Sequence, residues 1–386
     1  MDVASSLQVV PSALSGFAFN PGPSVMPAED VTLVASQVYL IDSYFTSYHP
    51  NHPFIHEPSF RGFLQVYPSS PHTDGKAFGI LCKAILAVGS WCLCDRSCEV
   101  DLLFFAQARE TLSGISFLEA GNLTLLQALM LLSDFAQKRE MPEIGLQLLG
   151  IAVRMAIYLG LHKEKSSQDN PSERATLLDL ELRRRVWWSL YIFDSCAAKS
   201  FGRPLLLPDD AFMDVKPVLN INDEDLQPTD TFYPSVREGP TIYSSLIAQS
   251  NFHRMANRIY RYLTSVGPIS AERAAEFEKQ IDDWRSGCPS YLQAAVTATE
   301  PDWLKLAKDR LLICDRNLRL LILRPFLMRW ATLLQTEDRG PSDETIINAE
   351  KPWAVRCLQI ASQSMDLTLE RIERPLFSRL GGSFLM

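Results

Sequence analysis

The sequence predicts an all-α protein, a large multi-helix bundle of stacked helical hairpins interrupted by one long irregular loop excursion. Two observations carry that prediction. Apolar residues recur at three- and four-residue steps through most of the chain, the stripe of helices that bury one face. No run alternates apolar and polar residues as a half-buried strand requires. A third feature marks the interruption: residues 203–240 hold a concentration of prolines and acids and lose the helical period, as surface loops do.

The elements follow in order. Residues 1–30 carry Pro11, Pro21, Pro23 and Pro27 with no apolar period and read as a disordered tail. A helical body is expected over 31–376, with the acidic, proline-rich loop at about 203–240 inside it and a short tail at 377–386. From Val31, the residues Leu33, Val34, Val38, Ile41, Tyr44 and Phe45 form an amphipathic stripe that Pro50 and Pro53 stop. "AFGILCKAILAVGSWCLC" reads as a helix buried on most sides. "NLTLLQALMLLSDFAQ" and "EIGLQLLGIAVRMAIYLGLH", joined by "KREMP", form an antiparallel hairpin. Ser172 with Glu173 opens the helix containing "LRRRVWWSLYIFDSCAAKSFGRP". After the excursion, helices resume at "TIYSSLIAQSNFHRMANRIYRYLT", "AERAAEFEKQIDDWRS", "LKLAKDRLLICDRNLRLLILRPFLMRW" and "KPWAVRCLQIASQSMDLTLERI".

The 386 residues are 47% hydrophobic, enough for one large or two modest cores. A formal net charge of −8 gives no overall field toward phosphate backbones or anionic membranes, so such binding would need a local basic patch. No stretch approaches the roughly 18 uncharged apolar residues of a membrane span. No secretory or mitochondrial leader is recognisable, which leaves the cytoplasm or nucleus. Cys196, Cys288, Cys314 and Cys357 stand singly in apolar surroundings, as reduced core thiols do.

Chemical motifs are tested in turn. No nucleophile elbow, dinucleotide fingerprint, phosphate-binding loop or H-E-x-x-H helix occurs. His56-Glu57 is followed by Pro58, which prevents a second ligand one turn later. Cys82, Cys92, Cys94 and Cys98 lack the paired C-x-x-C spacing of zinc sites, and read as buried thiols. His49, His52 and His56 read as packing imidazoles rather than ligands. Asp209, Asp210, Asp214, Asp223, Glu224 and Asp225 lack the glycine and rhythm of a calcium loop, so a solvated acidic loop is expected. No catalytic residue and no metal ligand is assigned.

Arg183, Arg184 and Arg185 occupy one turn, and Trp187, Trp188, Leu190, Tyr191, Ile192 and Phe193 follow as core residues. A nucleic-acid-reading helix instead spreads basic or amide groups along a face. Acids four residues upstream meet two of the three, Asp179 with Arg183 and Glu181 with Arg185. Arg184 is left to stack or to fork onto a buried carboxylate, with Asp194 as acceptor. The stretch reads as architectural.

Together these segments resemble the fungal-specific transcription factor domain, the regulatory region downstream of the zinc binuclear cluster in many fungal regulators. "YFTSYHPNHPFIHEPSF" resembles the opening signature, with His49, Pro50, His52, Pro53 and His56. The hairpin ending Leu159, Gly160, Leu161 and His162 resembles the central motif. Glu181, Arg183, Arg184, Arg185, Trp187, Trp188, Asp194, Gly202, Arg203 and Pro204 resemble the most recognisable one. "LRLLILRPFL" matches the late helix ending at Arg324, Pro325 and Phe326. The resemblance implies a nuclear or nucleocytoplasmic regulator of a metabolic pathway, such as a secondary-metabolite cluster, and no enzyme. It also implies protein partners (a DNA-binding subunit or co-regulator), a small-molecule inducer, and homo- or hetero-dimers.

The family reads DNA through six cysteines holding two zinc ions and a basic linker. Here no cysteine precedes Cys82 and no Lys or Arg precedes Arg61. The expectation is therefore a regulator without its own zinc-cluster contact, no cofactor in this chain, no membrane association and no direct DNA binding. One alternative is an activator that binds DNA itself, through a zinc cluster outside the chain or through a helical face that no motif marks. The other is a sensor or cryptic enzyme built on the histidine segment and acidic loop.

Overall fold

The computed structural model describes residues 28–66, 73–93, 99–115, 121–165, 175–336 and 341–372. Among these residues all regular structure is helical, with twelve α-helices and no strand. The helices are α1 (Ala28–Ser43), α2 (Glu57–Val66), α3 (Thr73–Leu93), α4 (Val100–Ser113), α5 (Leu123–Lys138) and α6 (Pro142–Tyr158). They continue as α7 (Leu177–Phe201), α8 (Ile242–Ser265), α9 (Ala271–Ser286), the single turn α10 (Ser290–Gln293), α11 (Asp302–Gln335) and α12 (Pro341–Ile372). The chain forms two compact units, one of residues 1–194 and 206–246, the other of residues 195–205 and 247–386.

In the first unit α1 packs on α3, α3 on α4 and α5, and α5 on α6. The expected hairpin is α5 and α6. Ser133 locks it by donating to the Gly145 carbonyl at 2.7 Å. The first stripe differs from expectation: Val38 is exposed, and Leu40, Ile41, Tyr44, Phe45 and Tyr48 are buried. A π-helical turn at Tyr44–Tyr48 and a 3-10 turn at His49–Asn51 carry the chain past α1, so the simple helical period does not hold to Pro50. Helices α2 and α4 have no counterpart in the sequence reading.

Helix α3 corrects a second expectation. Its segment Gly75–Leu93 is long and apolar enough, by length and composition, to cross a membrane. Residues 84–90 are all buried within the unit, which is how a core helix meets the same test. Cys94 and Cys98 lie outside the described residues, as do Ser172 and Glu173.

Two family glycines have a backbone reason. Gly160 has φ +66° and Gly202 has φ +61°. At the end of α6, Gly160 N–H bonds the Ile157 carbonyl and Leu161 N–H bonds the Ala156 carbonyl, each at 3.0 Å. Arg203 N–H likewise returns to the Ala198 carbonyl at 2.9 Å after α7. These are Schellman-type ends that require a left-handed residue.

The second unit buries Phe252, Ile259, Phe277, Ile281, Leu318, Ile322, Phe326 and Ile360 in one cluster drawn from α8, α9, α11 and α12. Helix α11 does not end at Arg-Pro-Phe. It runs through Pro325 to Gln335. A mid-helix proline costs about 3 kcal/mol, and the buried Ile322, Leu323 and Phe326 around it supply apolar burial that offsets the loss. Pro352 is likewise inside α12.

Candidate functional site: a buried charge network beneath the acidic strap

Helix α7 begins at a reciprocal cap. Thr176 N–H donates to Asp179 Oδ2 at 3.0 Å, and Asp179 N–H donates to Thr176 Oγ1 at 3.1 Å. This start lies beyond the expected Ser172, and it occupies Asp179. Arg183 accordingly does not pair with Asp179. Its Nη2 donates to the Leu159 carbonyl at 2.7 Å, closing the C-terminal end of α6, where positive charge is favoured.

From Arg184 to Ser195 every residue of α7 is buried. The acceptor for Arg184 is Glu164, not Asp194. Arg184 Nε lies 3.0 Å from Glu164 Oε1, its Nη2 also contacts that oxygen, and Nη1 reaches Glu181 Oε2 at 3.3 Å. Glu164 accepts the Lys216 N–H at 3.0 Å as well. Asp194 instead receives Leu206 N–H at 3.0 Å and Leu207 N–H at 2.9 Å, holding the start of the excursion.

Arg185, with 0% of its surface exposed, is the hub. Its Nε meets Glu181 Oε1 at 3.2 Å, and its Nη1 meets Asp223 Oδ1 at 2.7 Å and Tyr243 Oη at 2.6 Å. The guanidinium carbon lies 3.7 Å from the centre of the Tyr243 ring, a desolvated cation–π contact. Tyr243 donates to Asp223 Oδ1 at 2.5 Å, and Glu181 accepts Leu219 N–H at 3.0 Å. Two acids and one phenol thus surround one cation. The expected Glu181–Arg185 pair is present, and Asp223 and Tyr243 complete it.

The excursion is therefore a strap, solvated only in part: Asp209, Asp214 and Glu224 are exposed as expected, and Asp223 is buried. Leu207, Val218, Ile221, Asp223 and Leu226 are buried along it. Asp223 Oδ2 also accepts Glu57 N–H at 3.1 Å, and the Asp223 carbonyl accepts His56 Nε2 at 3.1 Å. With Nε2 donating, His56 Nδ1 accepts from Ser59, whose Oγ is 2.7 Å away. Trp188 Nε1 donates to the Lys216 carbonyl at 2.9 Å. Trp187 is fully buried beside His162, ring centres 6.3 Å apart.

Electrostatics follow from burial and pairing. Burial is the largest influence on the Asp223 carboxyl and raises it, but Arg185, His49, His56 and the Tyr243 hydrogen bond together outweigh it and leave Asp223 below its ordinary value. Glu164 follows the same rule, with burial opposed by Arg184 and the net shift downward. Glu181 is raised, because its burial exceeds what Arg185 and Arg184 return. Burial holds His49 down at about 4.

His49, Pro50, His52, Pro53 and His56 are all buried, and no group of three or more metal-ligating side chains forms among the described residues. The cleft lined by Leu161, Glu164, Leu180, Arg183, Arg184 and Val215 measures about 10 Å³, room for one water rather than a metabolite. The second unit contains the remaining signature residues. Gly202, Arg203, Pro204 and Arg324 are exposed, and Pro325 is half-buried. That unit also holds a polar cluster the sequence did not suggest. Ser195 Oγ lies 2.7 Å from His253 Nδ1, and Lys199 Nζ donates to Asn257 Oδ1 at 3.3 Å and contacts Ser195. Ser195 is fully buried. Burial, reinforced by Lys199, keeps His253 well below its ordinary value, so its ring stays neutral.

The sequence model described as "Fungal specific transcription factor domain" matches residues 41–286. The match covers more than half of the chain, and the chain belongs to that family. The lactose regulatory protein LAC9 of Kluyveromyces lactis is 27% identical over 335 residues, covering 84% of this chain and 34% of the relative. Activator of stress genes 1 of Saccharomyces cerevisiae is 23% identical, over 75% of this chain and 31% of the relative. The aurofusarin cluster transcription factor aurR2 of Gibberella zeae is 30% identical, over 50% and 29%. This chain spans about a third of the length of these relatives. No solved structure matches. Transcriptional regulation is the role the family carries.

Proposed function

We propose that this chain is the helical regulatory region of a fungal transcription regulator that works in the nucleus through protein partners, not through catalysis. The partner is a DNA-binding subunit or co-regulator, with a small-molecule inducer as a further input. DNA contact is made by that partner rather than by a motif within these 386 residues. The aurofusarin cluster relative supports control of a secondary-metabolite pathway.

One observation carries the reading. The basic run that would serve as a polynucleotide contact is spent internally, on Leu159, Glu164, Glu181, Asp223 and Tyr243. Phosphate recognition needs exposed cations that release counterions. A mobility-shift assay with promoter DNA at moderate salt tests it. The purified chain is expected to give no shift, and adding a DNA-binding subunit to give one that includes this chain. A salt-sensitive shift by the chain alone, abolished in a folded Arg183→Gln, Arg184→Gln, Arg185→Gln variant, contradicts it.

A further inference from the structure

Where the end of α7 meets α8 in the second unit, the contact includes a chain of polar side chains. Ser195 and Lys199 come from α7, His253 and Asn257 from α8. Cys196 stands beside them, half-buried, with its Sγ 3.9 Å from His253 Nε2.

Counting protons fixes the state of the imidazole. An ammonium only donates, so Lys199 Nζ gives a proton to Ser195 Oγ, which it contacts, and to Asn257 Oδ1 at 3.3 Å. Ser195 Oγ also contacts Asn257 Oδ1, an acceptor, so the one serine proton goes there. Ser195 Oγ then has only a lone pair for His253 Nδ1, 2.7 Å away, and Nδ1 carries the hydrogen. The ammonium also stands 3.5 Å from Nδ1, farther than from either oxygen. With Nδ1 protonated, Nε2 is a bare acceptor, and the group it faces is the Cys196 thiol.

The surroundings favour negative charge on that sulfur. A thiol becomes a nucleophile where a base takes its proton and cations stabilise the thiolate. Lys199 and Arg310 supply positive charge here. Both oppose the burial that raises Cys314, a thiol that also feels Cys196. Both also help burial hold His253 down, which keeps its ring neutral and able to accept. Cys288 makes the contrast. It is half-buried too, but its thiol donates at 3.4 Å to the Trp284 carbonyl, which cannot take the proton, and burial raises it.

We infer that Cys196 is a modification site for α,β-unsaturated carbonyl compounds, with His253 as the base that takes the thiol proton. Sγ adds to the β carbon, forming an S–C bond as the C=C π pair shifts and the carbonyl becomes an enolate. The proton held on Nε2 then passes to the α carbon, and the carbonyl re-forms. No oxidant or reductant enters. The positive charge of Lys199 and Arg310 favours the enolate oxygen as well as the thiolate. Ser195, Asn257 and Lys199 are positioning residues that fix the tautomer. The inference gives the proposed small-molecule input a chemical class and rests on that reading for its regulatory consequence alone. The adduct is measured directly, so either can fail without the other.

The test follows each thiol of the full chain during reaction with N-ethylmaleimide, an α,β-unsaturated imide, by peptide mass mapping. At pH 7 Cys196 is expected to react faster than Cys288 by about tenfold or more. This wild-type comparison needs no variant to fold. The ratio is expected to widen from pH 8 to pH 6. Cys288, raised by burial, loses thiolate as the pH falls, whereas His253, held well below 6.5, stays an acceptor throughout. His253→Gln is expected to abolish the advantage, since an amide cannot take the proton, with the Cys288 rate and the helical circular dichroism unchanged. Ser195→Ala keeps the imidazole but frees its tautomer, and is expected to lie between the two with a flatter pH effect. A wild-type Cys196 no faster than Cys288 overturns the inference. So does a fast Cys196 whose rate both substitutions leave alone.

Discussion

His49, His52 and His56 stand within eight residues, and their surroundings give them different behaviour. His56 spends both ring nitrogens on Ser59 and the Asp223 carbonyl. His52 packs between Tyr48 and Phe193, with ring centres 4.8 and 5.0 Å away. His49 lies against Phe45 at 5.1 Å, and neither of its ring nitrogens meets a hydrogen-bond partner among the described residues. Burial therefore dominates, opposed by Asp223 and aided by Arg185 and His56, and lowers His49 from 6.5 to about 4. The sign follows directly. Below pH 6.5 the unfolded chain protonates this imidazole and the folded chain does not, so stability falls as pH drops through that window. By pH 4 the loss is about 3 kcal/mol. His49→Phe keeps the ring packing and removes the titration. In urea unfolding, its advantage over the wild type should be larger at pH 5 than at pH 8. Identical pH dependence in the two proteins would show that His49 titrates normally.

At the scale of the element, α1 and α3 touch through backbone. A Cβ on Gly89 would lie 2.0 Å from the Leu40 carbonyl oxygen, and Ser43 Oγ donates to the Gly89 carbonyl at 3.0 Å. The obstacle is main chain, so no rotamer change relieves it. Gly89→Ala should cost about 1–3 kcal/mol or more, although alanine is the better helix former. A variant as stable as the wild type in denaturant would mean that the two helices sit farther apart. The hairpins were legible because their periodicity and the "KREMP" connection are local signals. Helices α2 and α4 were not. Helix α2 is ten residues long with Phe60 as its buried residue, too short for a period to declare itself. Pro325 illustrates the converse: a local breaker that packing around Ile322 and Phe326 overrides.

The whole molecule carries a charge of −8, and its most basic run faces inward. The reason that run looked unlike a reading helix, four large aromatics directly after it, is visible in the sequence. So is the Glu181–Arg185 spacing. The partners Glu164, Asp223 and Tyr243 are not, because they come from 20, 38 and 58 residues away, the first two in segments whose composition suggests solvent. An unmatched arginine in an apolar helix signals that a distant acid exists, without saying which one. Asp194 was the nearer choice, and it is occupied by the amides of Leu206 and Leu207.

The most direct test of this internal use is a double-mutant cycle on Arg185 and Asp223, read by urea unfolding. Arg185→Gln strands two buried acids, and each single change should cost about 3–5 kcal/mol. The double variant should lose less than the sum, with a coupling of about 1–3 kcal/mol. Additive losses below about 0.5 kcal/mol, the range of surface substitutions, would put Arg185 in water and contradict the account.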